Sequence, residues 1–403
     1  MRKLKLKWLL IIMIVVTSCE RNASIEMDSY LSDSYNLTID DGGIYIKRIN
    51  DGKQNVNFSD LTQQNKKDKL YSINGKSSNH RINNSIGFIN CFYGSPFEVI
   101  ECLQNYVGNS EVVFNFNPQI PDNPESVVID SDNNFIVSMA LSGQLVKVTR
   151  EGERTLFATL PIGQFIPGAF TGLMGALAID SNDNIYVNVN ASESSKRGVW
   201  KVSPNGNSEL IGLLPMNAVP NGIVLVNDYL YIADSGFDGK IWRLNKFGGQ
   251  PEVWADDPLL KLINLGIMTP GPNGIQFYNE EIYVSNPNQG LLLAISRNSD
   301  GTSGEIRIIS DNVFLDDFAI DALGNVIGTT DPLNTIEKIY PDGSKEVLLN
   351  SVNPLDGPTA AIFGRYGLDR FNLYITNAAF PFFTDNFTPN LMKLELGIPG
   401  IIR

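Results

Sequence analysis

A chain of 403 residues that is 43% hydrophobic and only 19% charged, with 35 Gly and 21 Pro, has the composition of a turn-rich globular protein and excludes a coiled coil or wholesale disorder. Its formal net charge is −13 and its isoelectric point about 4.7, so its summed field repels polyphosphate. No basic stripe is present, and nucleic acid is excluded as a partner.

The first residues, MRKLKLK, form a cationic n-region, and Trp8 to Val16 form an apolar stretch shorter than the roughly 20 residues of a spanning helix. Small residues then precede a cysteine in Val16-Thr17-Ser18-Cys19, as in a lipobox. Residues 1–18 are therefore expected to be a lipoprotein signal peptide, with Cys19 lipidated after cleavage. An uncleaved anchor with an incidental cysteine is the other reading. No later run of 18 apolar residues exists, so lipid is the only expected membrane contact. The chain is expected in the cell envelope, on the periplasmic face or the outer surface.

Residues 19–108 are rich in Asn, Ser, Asp and Lys, as in NVNFSDLTQQNKKDK, and lack sustained periodicity. Such a segment buries too little apolar surface to offset its ordering entropy and is predicted to be a poorly ordered tether. The only histidine, His80, falls in it as a solvated residue. Cys91 and Cys102 stand in a compartment that permits disulfides. They either close a short loop or remain two free thiols.

From about residue 109 to 403 the texture changes to short β-rich runs separated by turn signals, and a frame repeats six times. The repeats begin near Pro124, Met174, Pro220, Pro272, Leu315 and Pro358. One homologous position per repeat is occupied by Glu125, Gly175, Asn221, Asn273, Asp316 and Thr359, at spacings of 50, 46, 52, 43 and 43 residues. That period matches one four-stranded propeller blade, so the fold class is all-β, a six-bladed β-propeller. A further strand follows most repeats, at 155–160, 252–254 and 345–349. Closure requires the last blade to borrow a strand, and 111–116 and 391–396 are suitable partners.

The first strand of each blade lines the central channel, so the six homologous positions converge on one mouth. Four of them are oxygen donors: Glu125, Asn221, Asn273 and Asp316. Taken singly, each is a common turn or surface residue. Recurring in register, they make an all-oxygen set of charge −2 that suits a divalent cation, Ca²⁺ first, with Zn²⁺, Mg²⁺ or Mn²⁺ as alternatives.

On these residues the frame resembles the gluconolactonase, senescence marker protein and regucalcin family, which is also similar to diisopropyl fluorophosphatase. The segments PNGI at 220–223, YIADS at 231–235, DDFAID at 316–321 and GPTAAIFGR at 357–365 carry the resemblance over residues 109–397. It implies a Glu in blade one, Asn in blades three and four, and Asp in blade five as ligands of a central cation, matching Glu125, Asn221, Asn273 and Asp316. Where many lactonases read ProAspGly, this chain reads Leu315-Asp316-Asp317, so Asp317 competes with Asp316. The signatures also resemble a secreted branch that includes pericyclases.

The expected function is a metal-dependent hydrolase of lactones or related esters, acting as a monomer on a small molecule. The repeats contain no histidine, so proton transfer falls to a carboxylate. Asp316 is best used as an ionised ligand, which leaves Asp317 as the acceptor. The segments 161–175 and 260–271 are long, apolar and glycine-rich, which points to an apolar substrate. Met174, Asp234, Asn286 and Thr359 are the expected substrate contacts, and Asn377 ends a strand in the same way. A non-hydrolytic enzyme, of the pericyclase or strictosidine synthase kind, and a non-catalytic binding propeller are the alternatives.

Overall fold

The computed structural model describes residues 91, 96–118, 122–166, 170–263, 269–331, 333–351, 354–380 and 387–401, together with the backbone of four strands between 23 and 57. The signal segment 1–18, Cys19 and His80 lie outside the described residues. Ala23–Asp28, Ser34–Asp40, Gly43–Arg48 and Val56–Asn57 pair as an antiparallel meander, local order within the segment read as a tether.

Six four-stranded antiparallel sheets follow, each a simple meander from an inner to an outer strand. The inner strands are Pro124–Ile129, Leu173–Ile179, Pro220–Val226, Ile275–Tyr278, Phe318–Ile320 and Pro358–Phe363. The second strands are buried along all or all but the first of their residues, as in Phe135–Met139 and Ile185–Asn190, because each lies between two neighbouring blades. Outer strands such as Lys345–Leu349 face solvent on most residues. This gradient explains why the second β-run of each repeat is almost continuously apolar while the outermost run alternates.

Blade packing closes the ring. Each of the six blade-to-blade interfaces carries its own buried apolar cluster. Between blades six and one, for example, Tyr374 and Leu391 meet Phe135 and Val137. The outer strand of blade six is supplied by the earlier segment Val107–Asn115, which pairs antiparallel with Asn390–Leu396 as the closure requirement predicts. Glu111 and Lys393, paired in that register, form an ion pair at 2.5 Å.

The IleAsp of the frame has a local role. In blades one, two and five, Asp130, Asp180 and Asp321 accept the amides of Asn134, Asn184 and Asn325 at 2.8–2.9 Å and so cap the hairpin between inner and second strand.

The propeller body begins earlier than residue 109. Helix Pro96–Asn105 opens on proline with Glu98 in its first turn, both favourable at a helix N-terminus. It buries Ile100 and Leu103, and Lys338 Nζ of blade five donates to the Gln104 carbonyl. Cys102 on this helix is disulfide-bonded to Cys91, with Cα atoms 5.2 Å apart.

Candidate functional site

The inner strands do not pack side by side without help. In five blades a polar side chain on the second strand donates to the carbonyl of the homologous position in the next blade. Ser138 Oγ reaches Gly175 O at 3.3 Å and Asn188 Nδ2 reaches Asn221 O at 2.8 Å. Ser285 Oγ reaches Asp316 O at 3.4 Å, Thr329 Oγ1 reaches Thr359 O at 3.0 Å, and Thr376 Oγ1 reaches Glu125 O at 3.3 Å. Ala233 takes the corresponding place in blade three, where Ser235 Oγ donates instead to Pro272 O at 2.6 Å. The six positions picked out by the sequence frame thus form one ring.

Register shifts interrupt the inner strands at these positions, between Pro124 and Ser126, Met174 and Leu177, Pro220 and Ile223, and Pro358 and Ala360. Bulges of this kind re-aim a side chain out of the ladder. The glycines beside them serve close approach. A Cβ on Gly222 would stand 2.1 Å from Asn273 O, and one on Gly274 would stand 2.7 Å from Asp317 Cα. Gly222→Ala therefore has to push blade four outward at Asn273. We expect a loss of about 1–3 kcal/mol in urea unfolding together with weaker cation binding in a Ca²⁺ titration. Unchanged stability and affinity would show that the ring is looser than drawn.

The structure brings Glu125, Asn273 and Asp316 together at the mouth, adds Asp331, and sets Asp317 next to them on the channel side. Asn273 Nδ2 donates to Asp316 Oδ1. Asn221 takes its ring position through its backbone, and among the described residues its side chain makes no hydrogen bond. Burial, followed by the charges of Asp331 and Asp317, pushes the Glu125 carboxyl up to about 8. Burial, then Glu125, Asp331 and Asp317, holds Asp316 well above the usual carboxylate range, with the Asn273 bond acting in the opposite direction. Burial, then Asp356, raises Asp331 to about 7. Among the described residues no lysine or arginine pairs with Glu125, Asp316 or Asp331. Partly buried carboxylates that press on one another without a cation favour a proton or a metal between them. Carboxylate and amide oxygens are the donor type of a hard divalent ion, while among the described residues no three His, Cys, Asp or Glu side chains are grouped as a metal site.

Asp317 sits differently from Asp316. Its Oδ1 accepts the Phe318 amide at 2.8 Å, and it lines the central channel below the ring. That channel has a volume of about 360 Å³ and is walled by all six inner strands, with Ala176, Ile223, Phe277 and Ile320 among the apolar contributions.

The expected substrate contacts turn out to belong to the scaffold. Met174 is 1% exposed and packs in the cluster between blades one and two. Asp234 accepts from the Val219 and Gly236 amides and from Trp242 Nε1 at 2.8–3.0 Å. Asn286, fully buried, donates to Leu259 O, and Thr359, also buried, donates to Pro124 O. Asn377 holds Asn390 Oδ1 at 2.9 Å. Polar residues at strand ends read alike whether they cap a turn or face a ligand, and here backbone partners claim them.

The loops on the face of the mouth carry exposed apolar residues beside exposed polar ones such as Gln164, Asn217 and Asp238. Ile166, Met216, Phe237 and Ile263 are 46–68% exposed on loops at the face where the inner strands start. Residues 167–169 and 264–268 of the two apolar segments lie outside the described residues. Asp331 escaped the sequence frame because it stands beyond the aligned position. Asn190 and Ser235 hold the equivalent place in blades two and three, so extending the frame by two residues past the second strand would have found it.

No family model and no curated protein sequence matches the chain. Solved structures do. A calcium-binding regucalcin from Agrobacterium tumefaciens is 18% identical with a TM-score of 0.54, over 73% of this chain and 95% of its own. A protein assigned as a gluconolactonase is 14% identical with a TM-score of 0.53, over 74% and 95%. A PQQ-bound aldose sugar dehydrogenase from Streptomyces coelicolor is 13% identical with a TM-score of 0.51, over 71% and 98%. At these identities the likeness shows the fold, and it is the fold that the sequence resemblance implied. The third protein shows that this propeller also serves unrelated chemistry.

Proposed function

We propose that the chain is a divalent-cation-dependent hydrolase of lactones or related esters, with Ca²⁺ as the preferred ion. What supports this reading is the cluster of partly buried carboxylates, without a lysine or arginine partner among the described residues, at the ring formed by Glu125, Asn221, Asn273 and Asp316. A cation held there would polarise the scissile carbonyl and favour the oxyanion. Glu125 and Asp316 would supply the negative ligands, and Asn221 and Asn273 the amide oxygens. Asp317, next in sequence to Asp316 and facing the channel, would take the proton from the attacking water. The exposed rim of Ile166, Met216, Phe237 and Ile263 supports a substrate with an apolar part.

The same rim is what favours the non-hydrolytic alternative, since rearrangement of an apolar substrate needs no water at the ring. A panel of lactones and esters, assayed with and without Ca²⁺, separates the two. We expect hydrolysis that chelation abolishes and Ca²⁺ restores. Asp317→Asn should lower kcat by at least about 100-fold while retaining the ion. Bound Ca²⁺ without hydrolysis of any member would move the assignment to a rearranging or binding propeller. We further propose that Cys19 carries lipid and holds the protein in the cell envelope, which metabolic labelling with a palmitate analogue tests.

A further inference from the structure

We propose that Asp331 and Asp356 hold a second divalent cation, beside the one assigned to Glu125, Asn221, Asn273 and Asp316. Asp331 directly follows the second strand of blade five, Val326–Thr330, and Asp356 lies just ahead of the inner strand of blade six. Asp356 is 2% exposed. Oδ1 of each residue is buried and has no hydrogen-bond partner among the described residues. The two residues are close neighbours, since a Cβ on Gly357, next in sequence to Asp356, would lie 3.1 Å from Asp331 Oδ1.

Asp356 is not able to turn away. Its Oδ2 accepts the Thr388 amide and hydroxyl at 2.8 and 2.7 Å, and its own amide donates to Asn377 Oδ1 at 3.0 Å. Its carbonyl accepts the Ala379 amide at 2.9 Å. The remaining oxygen, Oδ1, is therefore held in place without a partner among the described residues. Space in front of Asp331 is kept clear as well. Gly357 adopts a φ of +62°, and a Cβ there would lie 3.1 Å from Asp331 Oδ1.

The comparison between blades sharpens the point. At the place of Asp331, Asn190 and Ser235 donate to the carbonyls of Pro220 and Pro272 at 2.9 and 2.6 Å. Ala140, Pro287 and Ala378 hold this place in blades one, four and six and donate nothing, and in blade five an ionised carboxylate brings an acceptor instead. Two neighbouring carboxylates, each with a buried oxygen that accepts from no donor among the described residues, need a positive partner. Hard anionic oxygens select Ca²⁺ or Mg²⁺ over softer ions. A single proton shared by the pair is the rival occupant.

Counting ions distinguishes these. The full chain is equilibrated with CaCl₂ at pH 8, freed of excess salt and measured by plasma mass spectrometry. We expect two calcium ions per wild-type chain, one in Asp356→Asn and one in Glu125→Gln. One ion in the wild type that Asp356→Asn retains would overturn the second site and leave the ring site intact. One ion that is lost in Asp356→Asn yet kept in Glu125→Gln would support the second site and overturn the proposed hydrolytic centre. No ion in the wild type would overturn both. If Asp356→Asn does not fold, Asp331→Asn replaces it, because that change leaves the Thr388 contacts untouched.

Discussion

Glu125→Gln is expected to stabilise the cation-free protein at pH 8 and at the same time to abolish its response to Ca²⁺. The Glu125 carboxyl is raised to about 8 by burial and by Asp331 and Asp317, whereas in the unfolded chain it has an ordinary value near 4.5. Between those values the folded state binds more protons than the unfolded state, so the stability of the cation-free protein falls as pH rises through this window. Glutamine keeps the shape and removes the charge. The variant should gain on the order of 2–4 kcal/mol over the wild type at pH 8 without Ca²⁺, and little at pH 5. With Ca²⁺ the order reverses, because the wild type alone gains the binding energy. Calcium affinity and ester hydrolysis should each fall by at least about 100-fold. Thermal melts at both pH values, with Ca²⁺ and with chelator, carry the test. A variant that melts lower than the wild type at pH 8 in chelator would remove the claim of uncompensated charge.

Arg197→Ala should be the most damaging single substitution away from the ring. Arg197 is 2% exposed, and no carboxylate touches it. Its guanidinium donates to Ala191 O at 3.2 Å, to Ala218 O at 2.7 Å and to Thr171 Oγ1. It therefore ties the loop ahead of blade two, the end of that blade's second strand and the segment leading into blade three. Burial lowers its pKa, and the nearby charge of Asp234 opposes that change. Truncation leaves buried carbonyls without donors as well as a cavity. We expect a cost of about 3–5 kcal/mol, read as a fall of roughly 6–20 °C in Tm. Arg197→Lys should fall between the two, since one ammonium cannot span all three acceptors. Equal stability of the alanine variant would mean that water replaces the guanidinium at little cost.

The six repeats, the ring positions and the closing strand were legible because each arises from periodicity: strand alternation, a fixed blade length, and complementary runs at 111–116 and 391–396. What periodicity does not encode was missed. Burial of Arg197 is a property of three segments that meet only in the fold. The pairing of Asp331 with Asp356 depends on adjacent blades, and both residues sit in connecting turns where acidic side chains are commonplace. Met174, Asp234, Asn286 and Thr359 share one physical setting. All four stand where strands begin or end, and in a propeller those ends need caps and inter-blade packing before any ligand is considered. Helix Pro96–Asn105 was hidden by the polar segment before it, although its Pro96 and Glu98 already carried the signal of a helix start.

The borrowed strand also orders events in time. Val107–Asn115 leaves the ribosome before any other strand of the propeller, yet its partner Asn390–Leu396 is about 280 residues downstream. The last ladder therefore cannot form until synthesis is nearly complete, and the high sequence separation slows its closure. Until then blade six presents an open edge, and the early strand is a free template for pairing with another nascent chain. A chain crossing a membrane unfolded would make this final pairing only on the far side. Folding of this protein is thus completed by its beginning.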